Sequence, residues 1–205
     1  MICIVDYGSG NVAALMNVLK RGRIAHFLSG DPHRFAEADR FILPGVGAFD
    51  PTMERLRGSG ILEGLTDQVI GRGKPVLGIC VGMHLLAQGS DEGVLPGLGW
   101  IAGRVRRIET RALAGPPLLP HMGWNAISPT VPEGLFRDVD CTRGFYFLHS
   151  YFFDAAIDAD ISAQVDYGGS FPCAVARENI SGVQFHPEKS HRNGTALLHN
   201  FAEGT

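Results

Sequence analysis

The sequence predicts an α/β fold: a mostly parallel central sheet flanked by helices and lengthened by antiparallel strands. Two observations carry this. In the first half, short apolar runs alternate with segments whose apolar residues recur at helical spacing, the mark of a parallel sheet covered on its faces. In the second half, short strand candidates follow one another with almost no helix between them. The 205 residues, 45% hydrophobic and 19% charged, suffice for one well-buried core and are too few for two. Residues 1–205 are therefore read as one domain.

In order along the chain, Ile2 to Asp6 is strand-like and Asn11 to Arg21 has the apolar spacing of a helix. Ile24 to Leu28 and Arg40 to Leu43 read as strands, and Met53 to Leu56 and Ile61 to Ile70 as helical pieces. Pro75 to Ile79 is a short buried strand that enters a turn and then a helix, Met83 to Gln88. Strand candidates then dominate: Gly103 to Ile108, Trp124 to Ile127, Phe145 to Phe153, Ile161 to Val165, Cys173 to Arg177 and Gly182 to Phe185. A helix over Arg192 to Phe201 closes the chain. No repeat, low-complexity tract or linker interrupts this order.

Charge and composition exclude several function classes. A formal net charge of -3 argues against a nucleic-acid or anionic-membrane binder, which needs a basic surface. The basic run Arg104, Arg106, Arg107 and Arg111 reads as a solvated strand edge and loop. No apolar run reaches the length of a membrane span. Met1 to Asp6 lacks the basic and long apolar regions of a targeting segment, so none is expected. Cys3, Cys80, Cys141 and Cys173 are widely spaced, without the pairs or histidine spacings of a zinc site. Free thiols in a reducing cytoplasm are expected, with no metal and no cofactor, and with Cys3 and Cys173 as small core residues.

Gly78-Ile79-Cys80-Val81-Gly82 has the G-x-nucleophile-x-G form of a nucleophile elbow, with a cysteine as nucleophile. A reactive side chain on a sharp strand-to-helix turn needs small neighbours, because bulky ones would clash with adjacent strands. The helix N-terminus would favour the thiolate, and the Val81 N–H could help bind an oxyanion. A glycine-flanked core cysteine at a tight turn would show the same local pattern. A cysteine nucleophile needs a base, and the base an orienting group. Gln184-Phe185-His186-Pro187-Glu188 offers both: in an extended segment His186 and Glu188 project to one side, and Pro187 stiffens the link. Leu43-Pro44-Gly45-Val46-Gly47-Ala48-Phe49 follows an apolar strand, and its glycines allow N–H groups to point at a ligand. An ordinary turn or a phosphate loop remains open for that segment alone, although no full phosphate-loop or dinucleotide pattern is present.

Together these segments resemble the class I glutamine amidotransferases, whose flavodoxin-like fold the resemblance implies. More narrowly, the chain is similar to the family of glutaminase subunits of imidazole glycerol phosphate synthase. The likeness runs nearly end to end. It includes Asp6-Tyr7-Gly8-Ser9-Gly10-Asn11, Pro120-His121-Met122-Gly123-Trp124-Asn125, His149-Ser150-Tyr151, Gln184 to Ser190 and Asn200-Phe201. The resemblance implies a triad of Cys80, His186 and Glu188, and an oxyanion hole from Val46, Gly47 and the Val81 N–H, with the Val46–Gly47 peptide reorienting to complete it. It implies L-glutamine as substrate, held by Gly45, Ser150 and Tyr151, with Glu92 meeting its ammonium. It further implies a heterodimer with a cyclase subunit, a (β/α)8 barrel, contacted through Asn11, Trp124, Tyr146 and Lys189.

Two positions depart from the family pattern. His84 stands where the family has a glutamine that touches substrate. His84 can replace part of that amide's hydrogen bonding, and its charge is expected to make glutamine binding weaken as pH falls. His191 also replaces a frequent glutamine, and no mechanism attaches to it. Rival readings are a paralogue feeding ammonia to another synthase, such as one that amidinates a surface sugar; a non-catalytic regulatory subunit; and a thiol hydrolase such as a cysteine peptidase.

Overall fold

The computed structural model describes residues 1–109 and 119–204. Arg111, the last member of the basic run, lies outside them. Strand β1 (Ile2–Val5) is buried at every position, as a central parallel strand must be. Helix α1 (Val12–Arg21) is capped by Asn11, whose side chain accepts from the Ala14 N–H at 3.3 Å. It buries Leu15, Val18 and Leu19 on one face. Then come β2 (His26–Ser29), β3 (Arg40–Gly45), α2 (Phe49–Gly58), α3 (Leu62–Thr66), β4 (Val76–Cys80) and the one-turn helix α4 (Val81–His84). The second half holds β5 (Gly89–Ser90), β6 (Gly103–Arg107), β7 (His121–Asn125), β8 (Ser128–Pro129), β9 (Phe145–His149), β10 (Tyr151–Ala155), β11 (Ile161–Asp166), β12 (Ser170–Arg177), β13 (Ile180–Val183) and α5 (His191–Glu203).

The main sheet has the order β2-β1-β3-β4-β13-β12-β11-β8. Pairs from β2 through β13 are parallel, and those from β13 outward to β8 are antiparallel. The predicted mostly parallel sheet with an antiparallel extension is thus one continuous sheet. Two smaller sheets, β10-β6-β5 and β7-β9, sit beside it. Among the described residues, the buried apolar side chains form one cluster that draws on both halves, from Ile2 to Phe201.

Four expected elements differ. The helix placed at Met83 to Gln88 starts at Val81 and tightens after one turn. Leu86 and Ala87 donate to carbonyls three residues back, and the Gln88 N–H goes to Gly103 instead. Phe145 to Phe153 is two strands, because β9 pairs with β7 while β10 pairs with β6, and the chain changes sheet at Ser150. The helical stretch from Ile61 splits into α3 and a wider turn over Asp67–Gly71. The His-Pro-Glu segment is not extended throughout: Pro187–Lys189 forms a 3-10 turn with His186 at its N-cap.

Two expectations are met at the surface and core. Arg104 pairs with Asp91 at 2.6 Å and Arg106 with Asp154 at 3.2 Å, so this edge is an exposed ion-pair network. Cys3 and Cys173 are fully buried. Among the described residues, no helix is long and apolar enough to cross a membrane.

Candidate active site

Three adjacent parallel strands, β3, β4 and β13, end at one place, and the chemistry-bearing residues leave from those ends. The register sets Gly45 beside Cys80 and Val183 beside Ile79. Ligand sites in open α/β sheets lie outside the carboxyl ends of such strands. Cys80 sits at φ 54° and ψ -115°, a conformation that a non-glycine residue adopts only when its surroundings enforce it. The enforcement is steric. A Cβ on Gly82 would lie 1.9 Å from the Leu43 carbonyl oxygen, and one on Gly45 would lie 2.5 Å from the Gly82 nitrogen. The elbow therefore closes only with glycine at these places, and the sharp turn presents the sulfur to a cavity.

That cavity, about 480 Å³, is lined by Cys80, Val81, Val46, Gly47, His84, Glu92, Ser150, Tyr151, His186 and Glu188, with Asn11 and Lys189 also on its wall. Of the sequence-predicted residues, Gly45 does not line it, being buried at the end of β3. Trp124 and Tyr146 lie outside it as well. His149 and Pro120 line it, although no motif assigns either of them to that place.

His186 Nδ1 is 2.9 Å from Glu188 Oε1, across the 3-10 turn. Both groups are nearly inaccessible, with side-chain exposures of 6% and 2%, so the pair is little screened. Burial alone would pull the His186 imidazole down. Hydrogen bonds and electrostatic interaction with Cys80 and Glu188 outweigh it and hold the imidazole at about 10. Burial pushes the Cys3 thiol up to about 12 and the Cys141 thiol up to about 11. Because α4 has only four residues, it supplies little macrodipole; the cationic His186 is the stronger partner for a thiolate.

The segment carrying His186 is clamped to β9. The His186 N–H donates to the Tyr146 carbonyl at 2.9 Å. The Ser190 hydroxyl accepts from the Tyr146 N–H at 3.0 Å and donates to the His186 carbonyl at 2.7 Å. Ser190 escapes a reading of the sequence because a serine after a charged tripeptide carries no signal of burial, yet it is 1% exposed.

The loop after β3 is held from behind. The Val46 N–H donates to Ser9 Oγ at 3.2 Å, and the Val46 carbonyl accepts from Ser9 at 3.4 Å and from Thr52 at 3.3 Å. The Tyr7 hydroxyl donates to the Pro44 carbonyl. The Val46 N–H is therefore committed inside the loop, not to the cavity. Gly47 follows at φ 93°, where glycine turns without strain. Glu92 spends one carboxylate oxygen on the Phe49 N–H at 3.0 Å, and partial burial raises its carboxyl above the usual range.

His84 corrects an expectation. Its Nε2 lies 2.7 Å from Gln184 Oε1, and burial pushes the imidazole down to about 4, against the opposing Gln184 hydrogen bond. It stays neutral near neutral pH, so a His84 charge does not govern glutamine binding there. His149 and His121 are held neutral too, at about 3 and about 4, chiefly by burial. His149 Nδ1 donates to the Tyr151 carbonyl at 2.8 Å, leaving Nε2 to accept from His121 Nδ1 at 3.0 Å. This neutral relay braces the Ser150 junction.

The model of the family "Glutamine amidotransferase class-I" matches residues 4–204. The chain belongs to this family. It is 52% identical over 205 residues to "Imidazole glycerol phosphate synthase subunit HisH" of Bdellovibrio bacteriovorus, covering 99% of this chain and 100% of that relative. It is 45% identical to the HisH subunit of Leptospira borgpetersenii, covering 98% and 99%. The amidotransferase fold is matched by a putative GMP synthase protein from Thermoplasma acidophilum, with TM-score 0.70 and 20% identity over 98% of this chain and 92% of that one. A second solved structure, described as a glutamine amidotransferase, gives TM-score 0.69 at 18% identity over 98% and 96%. An amidotransferase must hold a carboxamide against a nucleophile, and the cavity beside Cys80 has room for a free amino acid.

Proposed function

We propose that the chain is the glutaminase subunit of imidazole glycerol phosphate synthase, hydrolysing L-glutamine to glutamate and supplying ammonia to a cyclase subunit in histidine biosynthesis. The observation that carries the reading is Cys80 on a strained elbow facing a buried His186–Glu188 pair, in a chain whose full-length relatives are HisH subunits. The Cys80 thiolate attacks the carboxamide carbon of glutamine. The oxygen acquires charge and is stabilised by the Val81 N–H, with the Val46–Gly47 segment contributing once it turns away from Ser9 and Thr52. As the C–N bond breaks, the His186 imidazolium passes its proton to the departing nitrogen and ammonia leaves. His186 then takes a proton from water, which cleaves the thioester and releases glutamate. Glu188 keeps the imidazole oriented and stabilises its cationic form.

Ser150 and Tyr151 hold the amino-acid end of the substrate, and Glu92, with one oxygen uncommitted to Phe49, receives its ammonium. His84 lines the wall without meeting the substrate as a cation. Gly45 acts by spacing, since it lies against α4 and not on the cavity.

The cyclase subunit, a (β/α)8 barrel in our reading, docks over the β7–β9 ribbon. The register pairs Met122 with Leu148 and Trp124 with Tyr146 on one face. Met122, Trp124 and Leu148 are 65%, 47% and 38% exposed, an apolar surface that a partner would cover. Lys189 lies over the Tyr146 ring at 5.2 Å, and His191 stacks on Trp124 at 5.3 Å, joining this face to the cavity wall where Asn11 and Lys189 sit. Ammonia released into water at neutral pH would become ammonium, which has no nucleophilic lone pair. A covered passage from Cys80 to the partner avoids that loss. The one core among the described residues supports reading residues 1–205 as one domain, and the cytoplasm is the compartment this biosynthetic role implies.

The test is a pair of assays on the assembled complex. Cys80→Ala should abolish glutamine-dependent synthesis while synthesis with ammonium salts persists. Loss of both activities in a folded, partner-bound variant would overturn the proposal.

A further inference from the structure

Gln184 is fully buried, two residues before His186, and belongs to none of the roles assigned above. Its backbone N–H donates to the Cys173 carbonyl at 2.8 Å, which fixes where its side chain starts. The strand register continues from Val183 beside Ile79, so the next residue, Gln184, comes alongside Cys80. Its amide is used at both ends. The Nε2 group lies 3.9 Å from the Cys80 sulfur as donor, and Oε1 faces His84 Nε2 at 2.7 Å.

An amide can be turned end for end, and the two orientations are not equivalent here. With nitrogen toward sulfur, Gln184 offers an N–H to the thiolate; reversed, it would set a carbonyl oxygen against a negative charge. His84 makes the choice. Its Nδ1 is buried and has no hydrogen-bond partner among the described residues. A buried nitrogen without a partner is tolerated better as a lone pair than as an orphaned N–H. The proton therefore belongs on Nε2, where it is donated to Gln184 Oε1, and the amide nitrogen is left facing Cys80.

We infer that Gln184 is a further catalytic residue, its side-chain amide donating to the Cys80 thiolate, and that His84 is the positioning residue that locks the amide in the donating orientation. The inference rests on Cys80 being the nucleophile. It also gives His84 a role beyond lining the cavity wall, since the imidazole holds an amide in place.

The test reads the sulfur directly. Alkylation of Cys80 by iodoacetamide is followed by mass spectrometry on the full-length chain at pH 7, beside glutaminase kcat and KM in the complex. Losing one hydrogen bond to the thiolate should slow alkylation about two- to tenfold in Gln184→Leu, with the loss in kcat and little change in KM. His84→Leu should slow alkylation similarly. His84→Gln, whose amide N–H can reach the same oxygen, should recover most of what His84→Leu loses. Gln184→Glu, which presents a carboxylate to the sulfur, should slow it further and guards against a folding defect specific to Gln184→Leu. Alkylation at the wild-type rate in folded Gln184→Leu, or a loss confined to KM, would overturn the inference. If alkylating Cys80 in the wild-type chain left glutamine turnover intact, the underlying assignment of the nucleophile would fail instead.

Discussion

The cavity has two walls built on different physics. One is the ends of β3 and β4 with α4, where backbone meets backbone: Gly45, Gly78 and Gly82 let three segments approach so closely that a methyl group has no room. The other is the β7–β9 ribbon, the Ser150 junction and the His186 turn, held by side-chain hydrogen bonds through Ser190, His121 and His149. The first wall fixes the strained Cys80 through glycine contacts that leave no room for a side chain. The second exposes an apolar face and depends on neutral histidines, so its order can respond to pH and to a partner. The proposed nucleophile belongs to the rigid wall and its proposed base to the adjustable one.

Four variants or conditions put this contrast at risk. The largest effect on the free chain is expected from Gly82→Ala. Its methyl would collide with the Leu43 carbonyl, where no flexible side chain can give way. Urea unfolding should show a loss of about 3 kcal/mol or more, or no folded protein. A loss below about 1 kcal/mol would mean that the rigid wall yields after all.

Next comes Glu188→Gln, which keeps the shape but removes the charge beside His186. Glutamine turnover should fall about hundredfold or more while ammonium-dependent synthesis holds. Stability should also change with pH in an altered way. His186 is raised in the folded chain, so its contribution is complete below about 6.5 and is lost as pH rises toward about 10. In the variant that alkaline loss should shrink, and an unchanged alkaline limb would argue that Glu188 does not support the imidazolium.

Acidification acts on both walls, through His84 at the end of α4 and through His121 and His149 in the β7–β9 ribbon. His84 and His121 sit near 4 and His149 near 3, all depressed, so the unfolded chain takes up protons first as pH falls below about 6.5. Stability should drop between about pH 6.5 and 4 by about 3 kcal/mol from His84 alone. His84→Gln should flatten that slope in a series of urea curves, and an identical slope would remove His84 from the account.

The smallest effect on the free chain is expected from Trp124→Ala, because the indole is half exposed and packs on His191. Unfolding should shift by about 0.5 kcal/mol, whereas affinity for the cyclase subunit should fall about tenfold. Binding titrations that find full affinity would move the proposed interface off the ribbon.

Much of the fold and of the site is legible in the residues themselves. The continuous apolar run of β1 and β4, the glycines around Cys80, and a histidine with an acid two residues on are local statements that local physics can read. What escapes such a reading is non-local. Phe145 to Phe153 has the composition of one strand, and only its two partners, β7 and β6, divide it at Ser150. His84 has the chemistry of a pH-sensitive substrate contact, because sequence gives an imidazole's identity but not its burial or its neighbour Gln184. The Ser9 hydroxyl that ties back Val46 lies 37 residues away from it, and no pattern connects them.

Fold class, elbow and the chemical kind of each reactive group follow from the residue order alone, because periodicity, glycine placement and side-chain type are properties of neighbouring residues. Which amide faces the sulfur, which histidines stay neutral, and whether the Val46 N–H faces the cavity or Ser9 are settled only by tertiary structure. Those outcomes depend on desolvation and on hydrogen bonds between groups up to a hundred residues apart, such as His84 and Gln184. Such energies exist only once the chain has closed around them.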